Sequence, residues 1–391
     1  MSRSLTNVRI AVVSRCSRTL YTFRRSLIHR LMDEQAHVTA IGSSGEGYED
    51  LLSKEGIEFR HAPVSRRSVN PGADVRLFVN LVRQFREIRP HIVHSFTVKP
   101  AIYATLAAAR VGVPARVVTI TGLGHAFTTA SPFIMRATAW LYRVALARAS
   151  LVYFQNAEDR ELFASRRLVV TERTRLIPGS GVDLDQFAPS SLPYHSGHTV
   201  NFLMMGRLLK EKGVREFLSA ADRLKRANVS ARFRLVGGID GRNPSSLAPA
   251  EIEALRNSVA VEWVGEVLDV RPHVAWADVV VLPSYREGLP RSLLEGGAMG
   301  RALIASDVPG CRDVVRDGQN GFLVPPENAE SLAQAMAKLA ADPSTIERFG
   351  RCARETVEDR FDERVVISET IKAYLQLLPD ASRLHSELVT P

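Results

Sequence analysis

The chain has 391 residues, of which 45% are hydrophobic and 24% are charged. This is a globular composition with enough length for two domains, and it excludes a disordered or repetitive protein. The three cysteines, Cys16, Cys311 and Cys352, have the spacing of neither a metal site nor a redox motif. A secreted disulfide framework is therefore disfavoured, and a reducing, cytoplasmic compartment is expected.

Positive charge is concentrated in the first half of the chain. Residues 1–193 hold 26 Lys and Arg against 15 Asp and Glu, a net charge of +11, and the remainder has a net charge of −2. This asymmetry favours contact with phosphates at an anionic membrane surface or on a lipid over a merely solvated basic face. Nucleic acid is not expected as a partner, because the aromatic residues do not alternate with the basic ones.

Short apolar runs alternate with amphipathic stretches in the first half, which is typical of strand–helix units in a parallel sheet. Helices are expected between the strands, since residues 74–89, for example, carry apolar side chains at helical spacing. We assign residues 1–182 to a first domain. Its strands are predicted over residues 8–14, 37–42, 58–64, 91–96, 116–121 and 151–156.

The apolar segments are too short to cross a membrane. The N-terminus enters a strand directly, so no signal peptide is expected, and residues 101–155 are interrupted by arginines, Gly and Pro. Within that region, residues 131–150 carry Arg136 and Arg143 among apolar and aromatic side chains. Two interpretations stay open for this segment: a helix that lies on the membrane surface, or a core helix with exposed arginines.

The second half repeats the strand–helix pattern after a linker, residues 183–198, that is rich in Pro, Ser, Gly and Asp. A second domain is predicted over residues 199–362, followed by a helix (363–378) that packs back on the first domain and a tail (379–391). The strands of this second domain are predicted over residues 199–206, 231–238, 260–265, 278–284 and 302–307. The fold class is therefore α/β, with two doubly wound Rossmann-like domains facing a central cleft.

Three loops of the second domain follow predicted strands, where doubly wound sheets bind ligands. The first offers Arg207 and Lys212, two cations that suit one diphosphate. The second contains Gly237 and Gly238, which let a backbone approach a ligand closely. The third leads into a helix start at Pro290, and a helix N-terminus is an anion site.

Two carboxylates, Glu287 and Glu295, flank this helix start. A carboxylate accepts hydrogen bonds from paired hydroxyls, so we expect Glu287 to bind a sugar and Glu295 to bind a ribose. Taken singly, each of these residues is more simply a surface charge or a turn. Together, at successive strand ends of one sheet, they favour a nucleotide-sugar site.

The stretches "GRLLKEKG", "LVGG", "PSYREGLPRSLLE" and "ASDVPGCRDVVRDGQNGFLVPP" resemble motifs of the retaining glycosyltransferases that have the GT-B fold and the Glu-seven-residues-Glu motif. That family includes bacterial capsule, O-antigen and lipid-linked-oligosaccharide enzymes. The resemblance covers nearly the whole chain. Within the family, "SRRSVNP", "HSFTVKP", "TITGLGHAF" and "GGIDGRNPS" are similar to the branch of N-acetylgalactosaminyltransferases that act on undecaprenyl-diphosphate-linked sugars.

The resemblance implies transfer of a hexosyl group, N-acetylhexosaminyl in this branch, from a UDP-sugar donor to an undecaprenyl-diphosphate-linked saccharide, with retention at the anomeric carbon. It assigns Arg207 and Lys212 to the donor diphosphate and Glu295 to the ribose. Glu287, with the amides of Gly288 and Leu289, goes to the transferred sugar and its phosphate.

Neither a cofactor nor a metal is implied. The pair Asp183 and Asp185 has the Asp-x-Asp spacing of some manganese sites, but it lies in the linker, where the family holds no metal. Two places depart from the family's pattern. Many relatives have a histidine that touches the donor sugar at the place of Thr121, and many have a Gly-Gly loop after the first strand where this chain has "SRCSRT". The acceptor-side candidates are Arg24, Arg66, Lys99, Thr121, Gly122, Gly124 and His125.

Two other functions suit the same two-domain architecture. A UDP-sugar 2-epimerase would convert its substrate without an acceptor, and a non-catalytic nucleotide-sugar-binding subunit would bind without transfer. A dinucleotide-dependent oxidoreductase is disfavoured, because no G-x-G-x-x-G follows the first strand. The expected location is cytoplasmic, in peripheral contact with the cytoplasmic face of the inner membrane.

Overall fold

The structure, a computed structural model, describes residues 4–45, 47–65, 70–122, 132–190, 199–241, 243 and 245–378. Contacts within the chain define two units: Met1–Ser180 together with Val365–Pro391, and Gly181–Arg364. Each unit contains a parallel sheet with helices on both faces. The expected pair of doubly wound α/β domains is therefore confirmed.

The sheet of the first unit has the strand order β3-β2-β1-β4-β5-β6-β7 in the part of the chain that the structure describes. Its strands are β1 Arg9–Cys16, β2 His37–Ser43, β3 Glu58–His61, β4 Ile92–Phe96, β5 Ala115–Ile120, β6 Leu151–Phe154 and β7 Thr174–Leu176. Its helices are α1 Ser17–Asp33, α2 Tyr48–Lys54, α3 Pro71–Ile88, α4 Val98–Arg110, α5 Pro132–Leu146 and α6 Ala157–Ser165.

The two faces of this sheet bury alternate residues of each strand, as the pleat requires. Along β1, Ile10 and Val12 pack against α1, whereas Ala11 and Val13 pack against α3 and α4. Helices α3, α4 and α5 form one layer, because α4 contacts both of the others. A run of apolar residues without a polar face is thus the mark of a strand covered on both sides.

The sheet of the second unit has the order β10-β9-β8-β11-β12-β13 within the described ranges. Its strands are β8 Val200–Met205, β9 Ala231–Val236, β10 Val261–Gly265, β11 Val279–Leu282, β12 Ala302–Ser306 and β13 Gly321–Val324. Its helices are α7 Val214–Arg226, α8 Pro249–Arg256, α9 Arg271–Trp276, α10 Arg291–Ala298, α11 Cys311–Val314, α12 Ala329–Ala341 and α13 Pro343–Arg360. Strands β8 and β11 are neighbours although the chain leaves and re-enters the sheet between them, so their loops meet at one edge.

Helix α14, Glu363–Leu377, packs mainly in the core of the first unit. Val366, Ala373 and Tyr374 share a cluster with residues of β1 and α1. The Tyr374 hydroxyl lies 2.6 Å from Nδ1 of the buried His94, and Nε2 of the same ring lies 2.7 Å from Oγ1 of Thr119. A polar network inside an apolar core thus joins α14 to β4 and β5.

Among the described residues, no helix is both long and apolar enough to cross a bilayer.

Candidate active site

The loop after β8 is held against the loop after β11 by several backbone contacts. The carbonyl of Glu211 accepts hydrogen bonds from the Tyr285 amide and the Ser284 hydroxyl, both at 2.9 Å. Gly213 has φ +73°, and a Cβ there would lie 2.0 Å from the carbonyl oxygen of Pro283. Only glycine allows this approach at a left-handed backbone. The two loops therefore form one structural element at the carboxyl edge of the sheet.

This element brings together Lys212 and Glu287, which are 75 residues apart in the chain. The Lys212 Nζ donates a hydrogen bond of 2.5 Å to Glu287 Oε1. Both side chains are mostly buried, with exposed fractions of 22% and 12%. A charge-assisted hydrogen bond in such a partly desolvated place is stronger than a surface ion pair, so each side chain holds the other in position.

Arg207 has a carboxylate partner that the sequence analysis did not identify. Its Nη1 donates a hydrogen bond of 2.7 Å to Asp240 Oδ2. The loop that carries Asp240 is tied to the Arg207 loop, since the Leu208 amide donates to Gly238 O and the Lys210 amide donates to Ser245 O. The only sequence signal was the stretch "GGIDGRNPS", which marked a branch of the family without assigning this aspartate.

Close packing explains why two glycines, Gly237 and Gly238, follow β9. A Cβ at Gly237 would lie 1.7 Å from the carbonyl oxygen of Gly206, and one at Gly238 would lie 2.5 Å from a carboxylate oxygen of Glu266. A side chain at Gly237 would force the β8 and β9 loops apart, whereas one at Gly238 would displace the Glu266 side chain. Gly237 thus sets the spacing of the loop that carries Arg207.

The predicted helix start is present as α10, whose N-cap is Pro290. Its first intrahelical bonds are donated by Leu293 and Leu294 to the Pro290 carbonyl, and the amides of a first turn have no intrahelical acceptor. Glu295 lies one turn into α10 and accepts a hydrogen bond of 2.8 Å from Arg291 Nε. Burial raises the pKa of Glu295, and the Arg291 charge opposes that shift. The partner Arg291 was not predicted.

A buried thiol also lies near the ion pair. Burial raises the pKa of Cys311 well above its usual value, the Glu287 charge adds to this shift, and the Lys212 charge opposes it. The loop before Cys311 is close-packed, because a Cβ at Gly310 would lie 2.3 Å from Gly288 O. The loops after β8, β11 and β12 therefore converge on one place.

The acceptor-side candidates in the first unit are more dispersed. Arg24 is buried on α1, with its guanidinium carbon 3.9 Å from the centroid of the Phe96 ring. Lys99, in the first turn of α4, donates a 2.6 Å hydrogen bond to Asp74. Thr121 and Gly122 directly follow β5. Arg66, Gly124 and His125 lie outside the described residues.

The described residues contain no group of three or more His, Cys, Asp or Glu side chains arranged to hold a metal ion. In the Asp183–Asp185 segment, Asp183 Oδ1 accepts hydrogen bonds of 2.9 Å from the amides of Asp185 and Gln186. This carboxylate therefore stabilises a local turn.

Two family models match the chain. Residues 199–342 match the family model described as glycosyl transferases group 1, and residues 21–179 match that of the glycosyl transferase 4-like domain. The two matches cover most of both units. The chain therefore belongs to the glycosyltransferases with the GT-B fold and is a hexosyltransferase.

The chain is also similar to individual glycosyltransferases over most of its length. The chain is 28% identical over 384 residues to the N,N'-diacetylbacillosaminyl-diphospho-undecaprenol alpha-1,3-N-acetylgalactosaminyltransferase of Campylobacter jejuni, covering 94% of this chain and 98% of that protein. It is 24% identical over 325 residues to the UDP-Gal:alpha-D-GlcNAc-diphosphoundecaprenol alpha-1,3-galactosyltransferase of Escherichia coli, covering 80% and 82% of the two chains. The fold is similar to that of Anabaena HepE in complex with UDP and glucose, with a TM-score of 0.76, 17% identity and coverage of 94% and 99%.

Proposed function

We propose that this glycosyltransferase moves an N-acetylhexosaminyl or related hexosyl group from a UDP-sugar to a saccharide linked to undecaprenyl diphosphate, with retention and without a metal. The C. jejuni and E. coli relatives support the proposal, because their names describe acceptors of this kind. The UDP complex of HepE and the UDP-Gal donor of the E. coli relative support the choice of nucleotide.

The observation that carries the proposal is the placement of Arg207, Lys212 and the start of α10 in loops that follow the adjacent strands β8 and β11, with Lys212 bonded to Glu287. When the bond between the sugar and the diphosphate breaks, its electron pair stays on the β-phosphate oxygen, and the negative charge added to the departing diphosphate must be stabilised as it develops. Two side-chain cations and the amides of a helix N-terminus provide that stabilisation in a partly dry place. Their carboxylate partners, Asp240 and Glu287, keep them positioned before the donor binds.

In this proposal Glu287 binds hydroxyls of the transferred sugar and Glu295 those of the ribose. Glu287 is within hydrogen-bond distance of Lys212, so a sugar held by the first has its leaving phosphate next to the second. A front-side displacement, in which the departing phosphate takes the proton of the acceptor hydroxyl, then needs no carboxylate nucleophile. The first domain is the proposed acceptor domain, with Thr121 and Gly122 as candidates at the strand end of β5.

The experiment is substitution of the central pair. Lys212→Ala and Glu287→Ala are each expected to lower transfer by at least about 100-fold, in line with the loss of a group that stabilises transition-state charge. The matched controls are Arg223→Ala and Glu330→Ala, which break an exposed ion pair between α7 and α12 in the same unit. Near-normal transfer by both site variants would refute the assignment.

Product analysis separates this proposal from its alternatives. Incubation of UDP-N-acetylhexosamines with extracted undecaprenyl-diphosphate saccharides in EDTA is expected to yield a lipid product one hexosamine heavier. An epimerised nucleotide sugar without acceptor would instead identify an epimerase, and nucleotide binding without any product would identify a non-catalytic subunit. Strict dependence on manganese would overturn the metal-free mechanism.

The proposed location is the cytoplasmic face of the inner membrane, in peripheral contact with anionic lipid. It follows from the proposed substrates, since a nucleotide sugar dissolved in the cytosol must reach an acceptor anchored in the bilayer.

A further inference from the structure

Helices α3 and α5 of the first unit expose large apolar side chains to solvent. The exposed fractions are 61% for Val75, 58% for Val79, 81% for Phe133 and 63% for Trp140. Soluble proteins expose single apolar residues freely, but clustered aromatic and aliphatic side chains mark an interaction surface. The opposite sides of both helices are buried, for example at Leu77, Leu81 and Tyr142. Each helix therefore exposes apolar side chains on one side only.

The exposed side chains form stripes along their helices. Val75 and Val79 are four residues apart, and Phe133 and Trp140 are seven apart, so each pair lies on one helix face. Both helices pack against α4 in the layer that covers one side of the sheet. The outward sides of α3 and α5 therefore belong to one surface, which we call the α3–α5 face.

This face is strongly basic. Helices α3, α4 and α5 together contain seven Lys and Arg against two Asp and Glu, and α5 has no acidic residue. The two acids are engaged: Asp74 accepts from Lys99 and Tyr103, and Glu87 accepts from Arg60. Exposed arginines, Arg136 and Arg143 on α5 among them, flank the apolar stripes.

We propose that the α3–α5 face docks on an anionic phospholipid bilayer, with Phe133 and Trp140 inserted at the headgroup level and the arginines on lipid phosphates. Aromatic rings beside arginines, on a helix parallel to the surface, match the polarity gradient of that interface. The long arginine stems allow the charges to reach phosphates while the rings lie deeper. This inference rests on the proposed function in that the acceptor is membrane-anchored. Of the two interpretations of residues 131–150, it adopts the one in which the helix lies on the membrane surface.

Vesicle binding of the full chain tests the charge. Wild-type protein is expected to bind vesicles containing phosphatidylglycerol and to bind phosphatidylcholine vesicles weakly. Each arginine near an anionic surface contributes about a fivefold gain, so Arg136→Gln with Arg143→Gln should lower binding to the anionic vesicles about 30-fold. Arg226→Gln with Arg232→Gln, an equal charge change at exposed positions of the second unit, should leave binding within about threefold of wild type.

Substitution of the aromatic residues tests insertion. Phe133→Ser with Trp140→Ser is expected to lower binding to both kinds of vesicle by about tenfold or more, whereas Val259→Ser with Leu268→Ser, at exposed positions of the second unit, is expected to have no effect. Brominated lipids should quench tryptophan fluorescence in wild type and not in Trp140→Phe, since the other two tryptophans, Trp263 and Trp276, lie in the second unit. Equal quenching in both proteins would overturn the proposal.

Two further outcomes also overturn it. If Trp140 is shielded in a concentration-dependent dimer of wild-type protein, or if the protein binds no vesicles, the face serves another copy of the chain or a protein partner. A transfer assay with a water-soluble, short-chain acceptor separates this failure from failure of the proposed function. Variants of the α3–α5 face should retain full activity on that acceptor and lose it on the long-chain acceptor in vesicles, whereas absence of transfer by wild type to either acceptor would refute the function alone.

Discussion

Lowering the pH from 7.5 to 5.5 is expected to destabilise the first unit through the buried His94. This ring lies in the apolar core, where its two nitrogens contact Tyr374 and Thr119. Burial lowers the pKa of His94 well below its ordinary value of 6.5, and the positive charge of Arg24 lowers it further. The folded protein thus keeps the ring neutral at pH values where the unfolded chain protonates it.

The sign and size of the effect follow from proton linkage. Between the folded pKa and 6.5 the unfolded state binds more protons than the folded state, so stability falls as the pH falls. With an unfolded pKa near 6.5 and no protonation of the folded state, the change from pH 7.5 to 5.5 amounts to about 1.4 kcal/mol. That is about a tenfold change in the unfolding equilibrium of the first unit.

Urea denaturation of wild type and His94→Gln, followed by far-UV circular dichroism, measures this difference. Other titrating groups are common to both proteins, so the difference between their pH dependences isolates His94. The free energy of unfolding of wild type should fall by about 1.4 kcal/mol more than that of the variant over this range. Parallel pH dependences, whatever the absolute stability of the variant, would show that His94 does not remain neutral in the folded state and would refute the reasoning.

Three more outcomes are expected in the second unit. Gly213→Ala should lower the free energy of unfolding by at least about 2 kcal/mol, because a Cβ at φ +73° would meet the Pro283 carbonyl; an unchanged urea midpoint would contradict the geometry. Asp240→Ala should lower kcat/KM for the donor, since Arg207 loses the carboxylate that orients it. Asp240→Glu should restore part of that loss. Equal activity of wild type and Asp240→Ala would show that Arg207 needs no such support. Iodoacetamide at pH 8 should leave Cys311 unlabelled in the folded protein, because burial raises its pKa, and prompt labelling observed by peptide mass would contradict its burial.

The elements that the sequence predicted best are the buried strands. β8 and β11 appear in the sequence as "VNFLMM" and "VVVL", and such runs have few alternatives to a strand covered by helices on both faces. Pro290 and the two glycines after β9 also marked their loops correctly, because each of these residue types restricts or frees the backbone locally.

The partners of the site residues could not be predicted in this way. Lys212 and Glu287 were assigned separate roles, and their direct contact depends on how two loops 75 residues apart are tied together through Glu211. Asp240 and Arg291 were missed because a lone charged residue in a loop or on a helix is most often solvated. The assignment of Arg207, Lys212, Glu287 and Glu295 to the donor stays a prediction that the substitutions above will test.

The sequence by itself determined the two parallel sheets, the loops at their carboxyl edges and the presence of cations there, since these depend on residue periodicity and on short-range backbone preferences. Only the tertiary structure decided which carboxylate pairs with which cation, and that Phe133 and Trp140 on α5 are exposed and not in the core. Periodicity shows that a helix has an apolar side, but whether that side is covered depends on which other helices pack beside it.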